Sequence, residues 1–198
     1  GTLVGGILGG LISSTASTLT FSRMTRDEEA RAPGAAVMIL LASSVVFARV
    51  IAEIWVVSRG SVMTMAPPLV VMMLGVAAIS GVLYWRAGQA AEPPAMEEPP
   101  SDLRAAALFG VMYAVILLAV ALVRRHFGEE ALYAVSAFSG LTDMDAITLS
   151  VSQLVERGQV SASTGWRVIL VGAVSNLVFK GGIVVAVGSR SLRMPVLA

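Results

Sequence analysis

Two carboxylates, Asp143 and Asp145, lie in an apolar stretch whose other polar members are mostly hydroxyl side chains. An Asp at mid-membrane costs roughly 2.5–3.5 kcal/mol on insertion scales, so it needs a proton, water or a charged partner. Carboxylate and hydroxyl oxygens are also ligands of hard cations such as magnesium. The pattern predicts an ion site with Asp143 and Asp145 as candidate metal ligands or proton acceptors. The alternative is a surface segment in which both are solvated or cap a helix. The stretch is Ser139-Gly140-Leu141-Thr142-Asp143-Met144-Asp145-Ala146-Ile147-Thr148-Leu149-Ser150.

The spacing of the two carboxylates limits how they can work together. On an unbroken helix, positions two apart point to nearly opposite sides. One arrangement puts Asp145 on a face with Thr142, Thr148 and Ser152 while Asp143 faces elsewhere. In the other, the chain unwinds near Gly140 and both carboxylates converge. We favour the second arrangement, because interrupted helices that line a cavity form ion sites in many transporters.

Polar side chains also interrupt three other apolar segments. The first segment carries a run of hydroxyls. The second carries two opposite charges four residues apart, and the third carries an amide and an ammonium four residues apart, so the two members of each pair share a helix face. The hydroxyls either line a site or form an inert helix contact, and the charges either pair in the membrane or extend to the headgroups. In that order, the residues are Ser13, Ser14 and Thr15; Arg49 and Glu53; Asn176 and Lys180.

Lys180 needs an anionic partner in a low-dielectric environment. The nearest chemical candidates are the two carboxylates. We therefore expect Lys180 within salt-bridging distance of Asp143 or Asp145, directly or through one water.

The composition indicates an all-α integral membrane protein. The 198 residues are 56% hydrophobic and 14% charged, with a mean hydropathy of +0.81. Because there is no Cys, disulfides, thiol catalysis and cysteine-bound metals are excluded. A net charge of +1 argues against nucleic-acid binding. We expect no enzyme and no cofactor, since the two carboxylates share one segment with no second catalytic segment to complete a dyad.

The hydropathy pattern predicts a single polytopic domain, residues 1–198, with six membrane spans. Charged or proline-rich segments separate the spans: a charged loop at Arg23 to Gly34, a short loop that holds Arg59, and an exposed linker at Arg86 to Arg104. The predicted spans are Thr2 to Ser22, Ala35 to Val57, Leu69 to Trp85, Ala105 to Val123, Leu132 to Leu154, and Trp166 to Val187.

Two pairs of predicted spans share residues at nearly constant offsets. Matching spans lie four apart, so they would cross the membrane in the same direction, as a parallel internal repeat. Repeat 1 covers about residues 2–57, a connecting span 69–85 and the linker 86–104 follow, and repeat 2 covers about 105–188. This three-one-three plan lacking its first helix resembles the layout of SWEET-type sugar transporters. The first span matches the fifth through Gly10-Leu11 with Gly140-Leu141, Ala16 with Ala146, Thr18-Leu19 with Thr148-Leu149 and Ser22 with Ser152; the second matches the sixth through Ala42 with Ala173, Ser44 with Ser175 and Arg49 with Lys180.

Three sequence runs resemble the C-terminal membrane domain of unknown function in bacterial MgtC/SapB family proteins. The resemblance implies a multi-pass protein of the bacterial inner membrane, and it carries over no catalytic residue. The family's association with magnesium belongs to the MgtC portion, to which nothing in this sequence corresponds. The runs are Gly9 to Thr18, Ser139 to Ser150 and Ser175 to Lys180.

These observations favour a membrane carrier or channel-like protein that passes a small cation, magnesium or one coupled to protons. A second transport hypothesis is an anion carrier in which Lys180 and Arg49 bind the substrate. The alternative from another class is a non-transporting membrane subunit or regulator. Its polar residues would fix helix contacts, and its glycine-rich first span would bind itself or another membrane protein. The expected partners are the lipid bilayer and a small ion.

Overall fold

The computed structural model describes residues 2–87, 111, 118 and 130–197. This part of the chain is helical and contains no strand. Short 3-10 helices at Glu29–Arg31 and Arg59–Ser61 precede the second and third α-helices. The α-helices are α1 Thr2–Asp27, α2 Ala32–Val57, α3 Val62–Ala87, α4 Ala131–Thr142, α5 Asp145–Glu156, α6 Ala162–Val187 and α7 Arg190–Leu197.

Within the described ranges, three helical segments are long and apolar enough to cross a membrane. They are Glu29–Val57, Arg59–Arg86 and Ala162–Val187, and they correspond to α2, α3 and α6. A 26-residue helix extends about 39 Å, which exceeds the roughly 30 Å hydrocarbon core of a bilayer. The second, third and sixth predicted spans fall inside these segments. The apolar helices are those of a membrane protein.

The remaining predicted spans have different outcomes. The first, Thr2 to Ser22, lies in α1, a 26-residue helix with a kink that is not among the three candidate spans. The fifth, Leu132 to Leu154, is divided into α4 and α5. The fourth, Ala105 to Val123, lies outside the described residues except for Val111 and Leu118. The predicted linker, Arg86 to Arg104, lies outside them after Ala87.

Two predicted loops are helical instead. The segment Arg23 to Gly34 continues α1 to Asp27, forms one 3-10 turn and enters α2 at Ala32. An ion pair of 2.8 Å between Arg31 and Glu28 accompanies that turn. Likewise, α3 begins at Val62 and includes Pro67 and Pro68, which were expected to precede the helix. Each proline lacks the N–H that would pair with the carbonyl of Met63 or Thr64, and both of these residues are exposed in the first turn of the helix.

The chain divides into two compact units. The first unit comprises Gly1–Arg49, Leu69–Met96 and Leu177–Ala198. In it, α1 packs on α2 through glycines, because a Cβ at Gly6 would meet Leu41 and one at Gly10 would meet Ala42 and Val45. The core of this unit contains Phe21, Ala32, Ala35, Ala36, Met38, Ile39, Val184 and Leu192.

The second unit comprises Val50–Pro68 and Glu97–Asn176. Here α4 and α5 both pack against the first half of α6, and α5 also contacts the 3-10 helix Arg59–Ser61. Gly158, with φ +64°, closes the turn after α5, and the N–H of Gln159 donates to Leu154. Ser161 begins α6 by accepting the Thr164 N–H at 3.0 Å, a capping bond. These turns fix where α5 and α6 meet.

Candidate functional site

The chain leaves the helix at Asp143 and Met144, between α4 and α5. Asp143 has extended backbone angles, φ −156° and ψ 150°. Its N–H donates to Ser139, which closes α4, and its Oδ1 accepts the N–H of Met144 at 2.8 Å. In a continuous helix that N–H would donate to Gly140. The carboxylate therefore competes with the helix for a backbone donor, and the predicted unwinding near Gly140 is confirmed.

The carbonyl of Gly140 has a replacement partner on α6. The side-chain amide of Asn176 donates to it at 2.8 Å, and both groups are buried. The helices can approach this closely because Gly140 faces Gly172, where an added Cβ would overlap the carbonyl oxygen and lie 2.9 Å from Cα. A small residue on each helix thus lets a polar side chain reach the interruption.

Two more hydrogen bonds join α4 to α6. The hydroxyl of Ser136 donates to the Val168 carbonyl, and that of Ser175 to the Ala137 carbonyl, both at 2.6 Å. With the Asn176 bond, they form a seam of three side chain to backbone contacts. Ser175 is expected only as part of the repeat and of the family resemblance, and Ser136 is not expected at all, although the spacing of four from Ser136 to Gly140 is typical of close helix contacts in lipid.

The other predicted members of this site lie around the interruption. Asp145 is the first residue of α5 and, like Asp143, is half-buried, whereas Thr148 one turn later is fully buried. Thr142 ends α4, and its side chain lies outside the described residues. In the described ranges no three His, Asp or Glu side chains are grouped closely enough to hold a metal ion. Binding of a cation by Asp143 and Asp145 stays a prediction.

A second interruption lies inside α1. Ser13 has extended angles, φ −163° and ψ 106°, in an otherwise helical segment. Its Oγ accepts the N–H of Ala16 at 3.3 Å, so it caps the second part of the helix as an N-cap serine does. The hydroxyls of Ser17 and Thr18 donate to the carbonyls of Ser13 and Ser14 at 2.8 Å. The run that contains Ser13, Ser14 and Thr15 therefore bends its own helix.

A polar side chain from the neighbouring helix also reaches this interruption. Nη1 of Arg49 on α2 donates to the carbonyl of Leu11 at 3.3 Å. Leu11 precedes Ser13 by two residues, where a helix that stops has carbonyls without intrahelical donors. The Arg49 bond thus resembles the Asn176 bond at the other interruption. Arg49 and Glu53 both lie in α2, and their pairing stays a prediction.

Lys180 is buried in α6 at 3% exposure, within the first unit. Its Nζ donates to the hydroxyl of Ser43 at 3.4 Å, and Ser43 donates onward to Ile39. Sequence reasoning did not identify Ser43. Asp143 and Asp145 belong to the second unit, and their expected pairing with Lys180 stays a prediction.

A cavity of about 370 Å³ opens in the first unit. Its lining includes Glu29, Pro33, Leu83 and Arg86. None of the candidate site residues lines it.

Comparison with known proteins places the chain in a family. The model described as "Domain of unknown function (DUF4010)" matches residues 1–188, so the chain belongs to that family. It is also similar to an uncharacterized protein of Aquifex aeolicus (strain VF5), 29% identical over 190 residues that cover 95% of this chain and 83% of the relative. Neither match carries the MgtC/SapB name. No solved structure matches.

Proposed function

We propose that this member of the DUF4010 family is a multi-pass protein of the bacterial inner membrane that passes a small cation. The observation that carries the proposal is the interruption at Asp143 and Met144, which puts two half-buried carboxylates beside freed backbone groups in an apolar helical segment. Interrupted helices of this kind are tolerated in membranes where they line a cavity or an ion site.

The energetics favour a positively charged occupant. Each carboxylate inside a bilayer costs roughly 2.5–3.5 kcal/mol on insertion scales. Asp145 lies in the first turn of α5, where the helix dipole stabilises an anion by about 0.3–1 kcal/mol at an exposed position and by up to about 2 kcal/mol at a partly buried one. The N–H of Met144 stabilises Asp143 further. A bound cation or proton would lower the cost of burying two negative charges close together.

The interruption at Ser13 supports an internal repeat of this design. At each interruption, a glycine three residues earlier packs against the neighbouring helix, Gly10 on α2 and Gly140 on α6. At each, a polar side chain from that helix reaches a freed carbonyl. Ser13 and Asp143 hold matching positions in the aligned spans. We propose on this basis the parallel three-one-three plan with six spans, and with it the relation to MgtC/SapB membrane domains.

The two interruptions differ in charge, and this assigns the cation to one of them. The first has hydroxyl side chains and the guanidinium of Arg49, which repels a cation. The second has Asp143 and Asp145. Magnesium fits oxygen ligands of this kind but keeps several waters when few carboxylates bind it. A partly hydrated magnesium ion, or a proton carried by the carboxylates, is therefore the proposed cargo.

The experiment is flux through the purified protein in sealed vesicles, with magnesium, calcium, sodium, potassium and proton gradients in turn. We expect uptake of one of them, and its loss in Asp143→Asn with Asp145→Asn. Glu156→Gln is the matched control, since Glu156 is an exposed carboxylate at the end of the same helix. Full flux in the double variant would refute the cation site.

The second candidate is a non-transporting membrane subunit or regulator that binds another membrane protein. Gly6 and Gly10 pack on α2 within the chain, whereas Val4, Ile7 and Leu11 on α1 are exposed. In this reading, that exposed face binds itself or a partner. No flux with any cation, together with a stable complex that Leu11→Ser disrupts, would favour it over transport.

A further inference from the structure

Buried hydroxyls without a hydrogen-bond partner follow the carboxylates along α5. Thr148 and Ser152 are both 0% exposed, and within the described residues neither hydroxyl oxygen has a partner. Their neighbour Ser150 is also buried, but its hydroxyl donates to the carbonyl of Ala146 at 2.7 Å. Serine and threonine in a helix commonly bond back in this way. Neither Thr148 nor Ser152 makes that bond.

These hydroxyls lie on one face that begins at the interruption. Asp145, Thr148 and Ser152 are separated by three and four residues, so they are neighbours along α5. Their Cβ atoms are then about 5–6 Å apart, a spacing that a bridging water molecule can span. Ser58, also fully buried with its hydroxyl without a partner in the described part, immediately precedes the 3-10 helix that contacts α5.

The matching position in the other repeat has the same property. Ser22 in α1 aligns with Ser152, is 0% exposed, and its hydroxyl likewise has no partner among the described residues. Thr18 aligns with Thr148, but it bonds back to Ser14. A buried hydroxyl without a partner costs roughly 1–3 kcal/mol, and such groups in native proteins are usually explained by ordered water or ions.

We propose that the α5 face of Asp145, Thr148 and Ser152 binds a file of water molecules that reaches the interruption and hydrates the passing cation. This inference rests on the proposed function, because it supplies the route to that ion site. Thr148 and Ser152 contribute neutral hydroxyls, which can both donate to and accept from water. They would exchange with the water shell of an ion without holding the ion tightly.

The test uses the absence of cysteine from the sequence, which makes any introduced cysteine the only thiol. Ser152→Cys is compared with Ser150→Cys, the matched control whose native hydroxyl is already bonded. The probe is a small, positively charged methanethiosulfonate reagent that does not cross lipid. Since the thiolate is the reacting form and burial in apolar surroundings suppresses it, we expect Ser152→Cys to react about tenfold faster or more.

Thr148→Cys repeats the comparison in a second variant, and a thermal melt confirms that each variant is folded. Equal, slow modification of folded Ser152→Cys, Thr148→Cys and Ser150→Cys would overturn the water file. That result could coexist with loss of flux in the Asp143→Asn, Asp145→Asn protein, in which case the ion site stands and only the route fails. Fast modification with unchanged flux in that protein would keep the water file and end the ion site.

Discussion

The amide of Asn176 on α6 donates a 2.8 Å hydrogen bond to the carbonyl of Gly140, two residues before α4 ends. This bond and the one from Met144 to the Asp143 carboxylate are complementary. In a continuous helix, the Met144 N–H would donate to the Gly140 carbonyl. Here each of these two backbone groups is bonded to a side chain instead. Two side chains therefore stabilise the interruption, Asp143 within it and Asn176 from the neighbouring helix.

Asn176→Ala should destabilise the protein by about 1–2 kcal/mol, because the Gly140 carbonyl loses its partner in a buried environment. The measurement is the free energy of unfolding in mixed micelles. Ser175→Ala removes a comparable bond, to Ala137, away from the interruption. We expect both variants to lose stability and only Asn176→Ala to lose flux as well. Equal flux in the two variants would show that Asn176 does not contribute to the ion site.

Gly140→Ala should destabilise by about 1–3 kcal/mol or prevent folding, because its Cβ would overlap the backbone of Gly172. The control is Gly75→Ala in α3, where nothing lies within 4 Å of an added Cβ. That substitution should be neutral or stabilising, since alanine favours a helix by about 1 kcal/mol over glycine. Thermal melts of the two variants in the same detergent provide the comparison. A stable Gly140→Ala protein would contradict the close approach.

Asp143→Asn and Asp143→Ala should differ in stability but agree in function. Asparagine keeps an oxygen that accepts the Met144 N–H, so its stability should be near that of the parent. Alanine removes the acceptor and should cost about 1 kcal/mol, as loss of a capping side chain does. Both remove the negative charge, so both should lower cation flux. If Asp143→Asn retains flux while Asp143→Ala loses it, the residue positions the chain and does not bind the ion.

Arg49→Met should lower the free energy of unfolding by about 0.5–1.5 kcal/mol through the loss of its bond to the Leu11 carbonyl. Arg23→Met is the control for removal of a positive charge, because Arg23 is exposed on α1. Denaturation of both proteins under identical conditions measures the difference. Equal stability would mean that the kink at Ser13 does not depend on the neighbouring helix.

Composition and hydropathy were enough to predict the apolar helices α2, α3 and α6. Their side chains alternate little in polarity, and long apolar runs have few alternatives to a membrane helix. The interruption near Gly140 was also foreseen, because two carboxylates two residues apart cannot share one helix face. In both cases the deciding property is local along the sequence.

Other features differ from the sequence-based expectation, some for local reasons and some because the partners are distant in sequence. The kink at Ser13 is not predicted, because the hydroxyl run is compatible with either a straight or a bent helix. The hydrogen bonds of Ser13 and Ser17 with the backbone determine that the helix bends. The charged residues of the segment Arg23 to Gly34 predict a loop, but the segment is helical, because arginine and glutamate are good helix formers. The roles of Ser136 and Ser43 could not be found, since their partners lie more than thirty positions away.

Helices α4 and α5 have only 12 residues each. Each is therefore about 18 Å long, too short to cross a hydrocarbon layer of about 30 Å alone. If the pair spans the membrane as proposed, a cation at the turn between them lies partway through the membrane's electric field, where the full drop changes its energy by about 2.3 kcal/mol per 100 mV. Occupancy of that turn by a cation would then follow the membrane potential, so the energised state of the cell would control loading of the site.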